Sequence, residues 1–111
     1  MAITVKTLIP SKQMEAAQTI QYTAPAQGKA IIDKFTATNT TGSPAIITVN
    51  LYSPLTTVGA GNIIVSAHSI PAGETYTFPE LVGHALEAGA FISTTGTATA
   101  LTLRSSGREI T

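Results

Sequence analysis

Along "AIITVNLY", Ala45 to Tyr52, apolar and polar side chains trade places at each step: Ile47, Val49 and Leu51 fall on one face, Thr48 and Asn50 on the other. A period of two is what a half-buried strand requires, because successive side chains of an extended chain point to opposite sides. The pattern recurs. "NIIVSA" from Asn62 groups Ile63, Val65 and Ala67, and "QTIQYTA" from Gln18 groups Ile20, Tyr22 and Ala24 against Thr19, Gln21 and Thr23. "TALTL" from Thr99 sets Leu101 and Leu103 opposite Ala100 and Thr102. All four segments are rich in the β-branched residues that pack well on a pleated surface. "AIIDKFTATN" from Ala30 breaks the rule, since strict alternation places Asp33 on the face of Ile31 and Phe35. A bulge near Ile32 or Asp33 restores the register, and a buried, functional Asp33 is the other reading.

Strong punctuators separate these runs: Ala24-Pro25-Ala26-Gln27-Gly28, Thr41-Gly42-Ser43-Pro44, Gly59-Ala60-Gly61 and Pro71-Ala72-Gly73. Proline presets φ and glycine accepts positive φ, which turns demand. "IPAGETYTF" at Ile70 has a near copy, "LEAGAFIST", at Leu86, and each reads as a corner launching a strand, Glu74 to Phe78 and Ala90 to Thr95. A type I turn with Pro71 second and Gly73 fourth fits the first corner, and Glu87-Ala88-Gly89 makes a similar bend. Helix is scarce. Pro79 to Ala88 is one candidate, with Leu81 and Ala85, and Val82 and Leu86, four apart and Gly89 at the end; "SKQMEAAQ" from Ser11 is a second helical turn or a loop. The fold class expected is all-β: a single antiparallel β-sandwich or jelly-roll-like domain over residues 1–111, of about eight short strands with at most one or two helical turns.

At 111 residues the chain holds one modest core rather than two. Composition sharpens the picture of the surface. Charged residues are only 11% of the chain, against roughly 25% in ordinary domains, and six basic and six acidic side chains cancel. So little charge gives little colloidal repulsion, which favours association. No Lys/Arg cluster is present to neutralise phosphates, which argues against nucleic acid; Arg104 and Arg108 lie in or beside what reads as a solvated polar tail, residues 105–111. The absence of cysteine removes disulfides, thiolate nucleophiles and thiolate metal sites together. "MAITVKTLIP" lacks the basic start and apolar block of a secretory signal, and no apolar run approaches the length of a membrane span. The expectation is a soluble protein made in the cytoplasm. Ile3, Val5, Leu8 and Ile9 form an apolar segment within residues 1–17 that reads as a first strand, or as an arm pairing with the open edge of a neighbouring subunit. These four are the candidate oligomer contacts.

Candidate chemistry is thin. His84 has Glu80 four residues before it and Glu87 three after it, so a helix would place all three on one face in a ligand-like spacing; surface Glu and His on a short helix are the more ordinary reading. His68, after Ile64 and Ser66, reads as an exposed strand-end histidine. The serines and threonines include no Gly-x-Ser-x-Gly elbow. "TVGAGNII" has two of the three glycines of a dinucleotide fingerprint and is followed by a β-run instead of a helix. Asn39-Thr40-Thr41 matches a glycosylation acceptor formally and reads better as a turn. With no tryptophan, stacking on a sugar falls to an exposed tyrosine among Tyr22, Tyr52 and Tyr76. No catalytic residue, cofactor or metal is assigned, and an enzyme is not expected.

"SIPAGETYTFPELVGHALEAGAFISTTGTATALTLRSSGREI", from Ser69 to Ile110, runs as an apolar-Pro-x-Gly turn, a strand, a short Leu-containing segment, a second Gly turn and two Ala/Thr/Ser-rich strands. With "TAPAQGKAIIDKFTATNTTGSPAIITVNLY" before it, it resembles the small β-sandwich structural proteins of tailed-bacteriophage virions, including head decoration or cement proteins. The resemblance covers roughly Thr19 to Ile110, rests on turn and strand patterns, and carries over no functional residue. It implies a virion protein that performs no chemistry, forms a homo-oligomer and binds other virion proteins such as the major capsid protein; charge and hydropathy point to no nucleic-acid or membrane partner. The alternative is a ligand- or glycan-recognition module of a tail fibre.

Overall fold

The computed structural model describes residues 2–111, so the first residue of the expected domain lies outside the described residues. Among the described residues the strands are β1 (Ile3–Gln13), β2 (Thr19–Thr23), β3 (Lys29–Asn39), β4 (Ala45–Tyr52), β5 (Ile63–Ile70), β6 (Thr75–Thr77), β7 (Ala85–Leu86), β8 (Phe91–Gly96) and β9 (Leu101–Ile110), with one 3-10 turn at Ala60–Asn62. Two antiparallel sheets form. One has the order β1-β9-β3-β6, with β7 also pairing β3, and the other the order β2-β8-β4-β5. The pairs are nested: β4 with β5, then β3 with β6, β2 with β8, and β1 with β9 outermost. A chain paired in this way and rolled into two facing sheets is the arrangement of a jelly roll, with β7 as an extra short strand. The all-β sandwich expected from alternation is the fold observed.

Between the sheets lie the fully buried Ile32, Phe35, Ile47, Phe78, Leu101 and Leu103. Phe35 and Phe78 meet edge to face with centroids 5.1 Å apart, the geometry that aromatic quadrupoles favour. On β3 the pairing with β9 slips between Ile32 and Lys34. Ala30 and Ile32 point inward before the slip, Phe35, Ala37 and Asn39 after it, and Asp33 is exposed. The bulge expected at Ile32 or Asp33 is there, and it removes Asp33 from the core. The Ser105 hydroxyl donates to the Lys34 carbonyl at 2.8 Å beside the slip.

Several expectations need correction. The polar tail expected at residues 105–111 is strand as far as Ile110: the inward alternation of Leu101 and Leu103 continues through Ser105 and Gly107, all buried, in β9. Small inward residues are required there, because a Cβ on Gly107 would lie 2.1 Å from the Ile31 carbonyl oxygen and 2.9 Å from Leu8 Cδ1. The helix at Pro79 to Ala88 is instead two successive turns, closed by Leu81 N–H to the Phe78 carbonyl and His84 N–H to the Leu81 carbonyl, both 3.2 Å. Gly83 at φ +88° ends any helical continuation, and its N–H donates to the Ile32 carbonyl at 2.7 Å, fastening the segment to β3 before β7 begins. Ser11 to Gln18 is not helical: it finishes β1, buries Met14 and continues as a bend.

The near copy also has a structural answer. Glu74 N–H donates to the Pro71 carbonyl, and Ala90 N–H to the Glu87 carbonyl. Gly73 and Gly89 are therefore third in their turns, at φ +76° and +75°, which is the type II requirement and not the type I one. Leu81-Val82-Gly83-His84 is the same bend again. Two further faces differ from strict alternation, because β2 slips between Ile20 and Tyr22 and leaves Ile20 exposed, while Ala67 sits at φ +43° in a bulge of β5 and is exposed.

Candidate interaction surfaces

The N-terminal apolar segment lies within the sheet as β1, paired with β9 of its own chain from Ile3 opposite Ile110 to Gln13 opposite Thr102. The arm reading is replaced by the first-strand reading. Of the four candidate contacts, Ile3 and Val5 are 60% and 78% exposed, whereas Leu8 and Ile9 are 4% and 0%. The cause is a register slip between Thr7 and Ile9, which lets two adjacent side chains enter the core where Gly107 leaves room for Leu8. Leu8 and Ile9 are thus core residues and not contacts.

Ile3 and Val5 stand on the outer face of their sheet. Val5 is opposite Arg108, which is opposite Ile31, and Ile3 is opposite Ile110, which is opposite Lys29. Arg108 grips Asp33 with Nη2 to Oδ1 at 2.9 Å and Nε to Oδ2 at 3.0 Å, and this pair holds the guanidinium above its usual pKa. The result is an apolar strip bordered by a neutralised ion pair. On the other face of the same end, Lys6 Nζ sits 3.3 Å from Glu109 Oε1, and Tyr22 donates its hydroxyl proton from β2 to Glu109 across the two sheets. Burial first, and then that hydrogen bond, raise the Tyr22 phenol well above its ordinary pKa.

The acid and histidine candidates are drawn into separate structural roles. Glu80 accepts from the Tyr76 hydroxyl at 2.9 Å, which raises that phenol, and Glu87 lies 3.8 Å from Lys29. His84 is exposed, and its backbone serves the turn and the β3 contact. Among the described residues no three His, Asp or Glu side chains gather in a way that would hold a metal ion. His68 is half-buried rather than exposed, stacked on Tyr76 with ring centroids 4.0 Å apart. Glu15 is held at about 2 by the amide of Gln21 and then by Lys12, both 3.0 Å away, and is exposed.

Tyr52 leans on Phe91 at 5.2 Å and lines a cleft of about 180 Å³ with Leu51, Ser53, Ala85 and Leu86. Beyond it the loop from Ser53 carries Leu55, 94% exposed. Buried asparagines pin this end and the opposite one, the first of them, Asn50, on the face that alternation assigned to the outside. Asn50 is buried and donates to the Gly59 carbonyl and to Asn62 Oδ1. Asn39 is buried, donates to the Ser43 and Ile70 carbonyls at 2.8 and 2.9 Å, and accepts from Thr41 N–H and Oγ1–H. As a glycosylation acceptor Asn39 is blocked by its own hydrogen bonds.

No helix among the described residues is long and apolar enough to cross a membrane. Comparison with family models, with curated proteins and with solved structures finds no match.

Proposed function

We propose that this protein is a structural component of a tailed-bacteriophage virion, made in the host cytoplasm, that self-associates and binds a capsid or tail lattice as decoration or cement proteins do. Its activity is binding, without chemistry. The observation carrying this reading is the surface: a sandwich with mutually cancelling charges, five of whose six acids are engaged by Arg108, Lys6, Lys29, Lys12 and Tyr76, while Ile3, Val5, Ile46, Leu55 and Val82 stand exposed. Such a face suits contact with other protein better than attraction of a charged ligand. The jelly-roll arrangement agrees by analogy of fold, since viral shell domains use it.

The test is sedimentation of the purified protein with phage heads and, separately, tails lacking their accessory proteins. Saturable, stoichiometric pelleting with one of the two is the expected result; recovery in the supernatant with both rejects the reading. Lectin domains also use the jelly roll, and the Tyr52 cleft favours a second reading as a ligand- or glycan-recognition module. That reading predicts saturable glycan binding lost in Tyr52→Ala, with no lattice pelleting.

A further inference from the structure

The hydrogen-bond phase of β1 determines which of its backbone groups are free. Ala2 and Thr111 exchange two bonds of 2.9 Å, so Ala2 is a hydrogen-bonded partner of the neighbouring strand. Antiparallel pairs alternate, and the pairing with β9 is unbroken from Ile3 to Thr7. The N–H and C=O groups of Thr4 and Lys6 therefore point at β9, and those of Ile3, Val5 and Thr7 point out from the sheet edge. All three are β-branched, and all three side chains share the outer face.

The other edges are blunted by devices that prevent strand addition. β2 has five residues, a slip at Ile20/Tyr22 and Pro25 just beyond it; β5 is distorted at Ala67; β6 and β7 have three and two residues. The later half of β1 carries two slips and Pro10. Ile3–Thr7 has no slip and no proline, and its one charged residue, Lys6, is tied to Glu109 of its own chain.

We propose that Ile3–Thr7 is a self-pairing edge, on which a second copy of this chain docks its own β1 antiparallel about a two-fold axis at Val5. Outward groups must meet outward groups, so only registers joining odd residues to odd residues are open. Centring on Val5 pairs Ile3 with Thr7 of the second copy, Val5 with Val5 and Thr7 with Ile3, giving about six hydrogen bonds from three pairs. Centring one residue earlier or later gives fewer bonds within the regular run, and the later choice sets Lys6 directly opposite Lys6. In the Val5 register each Lys6 faces a threonine and keeps its Glu109 partner. The exposed Val5 side chains then cover each other, and zero net charge opposes nothing. The two sheets become one, continuous across the axis. This deepens the proposed self-association by locating it.

Val5→Pro tests it. The Val5 N–H has no partner within the chain, so proline there removes only the intermolecular bond, and proline is tolerated on an edge. Light scattering coupled to size exclusion should give twice 11.4 kDa for the wild type. Val5→Pro should raise the dissociation constant by about tenfold or more, with an unchanged circular dichroism spectrum. Val5→Lys, which sets like charges face to face, should act in the same way and decides the matter if the proline variant does not fold. In this cysteine-free chain a short bifunctional maleimide should link Val5→Cys dimers, and should not link Leu55→Cys. A dimer indifferent to Val5→Lys overturns the edge while leaving self-association standing. A wild type that is monomeric at all concentrations overturns both, and lattice sedimentation still judges the attachment reading separately.

Discussion

At the residue scale, the buried polar groups answer to backbone more than to each other. Asn39 supplies two donors to carbonyls of the β3–β4 loop and of β5, and one acceptor to Thr41, so its amide matches its surroundings atom for atom. Asn39→Asp replaces the donating nitrogen with an oxygen facing two carbonyl oxygens. Denaturant unfolding should show a loss of about 3 kcal/mol or more at neutral pH, against about 1–3 for Asn39→Ala. Tyr22 gives a pH test with a defined sign. Its phenol is held above the unfolded value of about 10 by burial and by Glu109. The stabilisation is therefore fully present below about pH 10 and is lost as pH rises above it. Unfolding midpoints measured from pH 7 to 11 should fall more steeply for the wild type than for Tyr22→Phe, which has no phenol to ionise. Parallel curves would reject this role for Tyr22.

At the level of elements, three corners of the sandwich are one bend used three times, with Gly73, Gly83 and Gly89 third in the turn at φ +76°, +88° and +75°. A Cβ meets nothing within 4 Å at Gly73 or Gly83 and only Pro54, at an ordinary 3.5 Å, at Gly89. Each Gly→Ala change should thus cost a similar amount, about 1–2 kcal/mol from backbone conformation alone, and Gly→Asn less. Gly107→Ala should cost more by a different route, overlap with the Ile31 carbonyl, and thermal melts of the four alanine variants should separate the two causes. These elements also mark what the sequence could reveal. β4 and the start of β9 were legible because an aliphatic residue occupies each inward position. The end of β9 was not, because its inward residues are Ser105, whose hydroxyl serves the Lys34 carbonyl, and Gly107, whose size answers to Leu8 and Ile31 on neighbouring strands. The spacing of Leu81, Val82, Ala85 and Leu86 imitates a helix, yet Leu81 and Leu86 are the buried pair, brought inward by a turn while Val82 and Ala85 face out. Which of the four N-terminal candidates face out was not legible: apolarity alone does not distinguish Val5 from Ile9, and the slip after Thr7 does.

For the whole molecule, nested pairing makes β1 and β9 the outermost pair, with β1 at the sheet edge. Ile3 lies opposite Ile110, and Ala2 and Thr111 exchange hydrogen bonds. Contacts so distant in sequence place folding toward the slow end for small domains, in the millisecond-to-second range. They also make the N-terminal segment integral to the fold. Removing residues 1–10 strips Leu8 and Ile9 from the core, each contributing roughly 1.5–3 kcal/mol by burial, and uncovers the β9 backbone along the sheet. Against a total stability of about 5–15 kcal/mol for a domain, that loss should leave the truncated chain largely unfolded at 37 °C, with the sheet signal lost in circular dichroism. Val5→Lys, which alters the edge without touching the core, should melt close to the wild type. A truncated chain that melted cooperatively near the wild-type temperature would show instead that β1 is an accessory strand and that the remaining strands close a core without it.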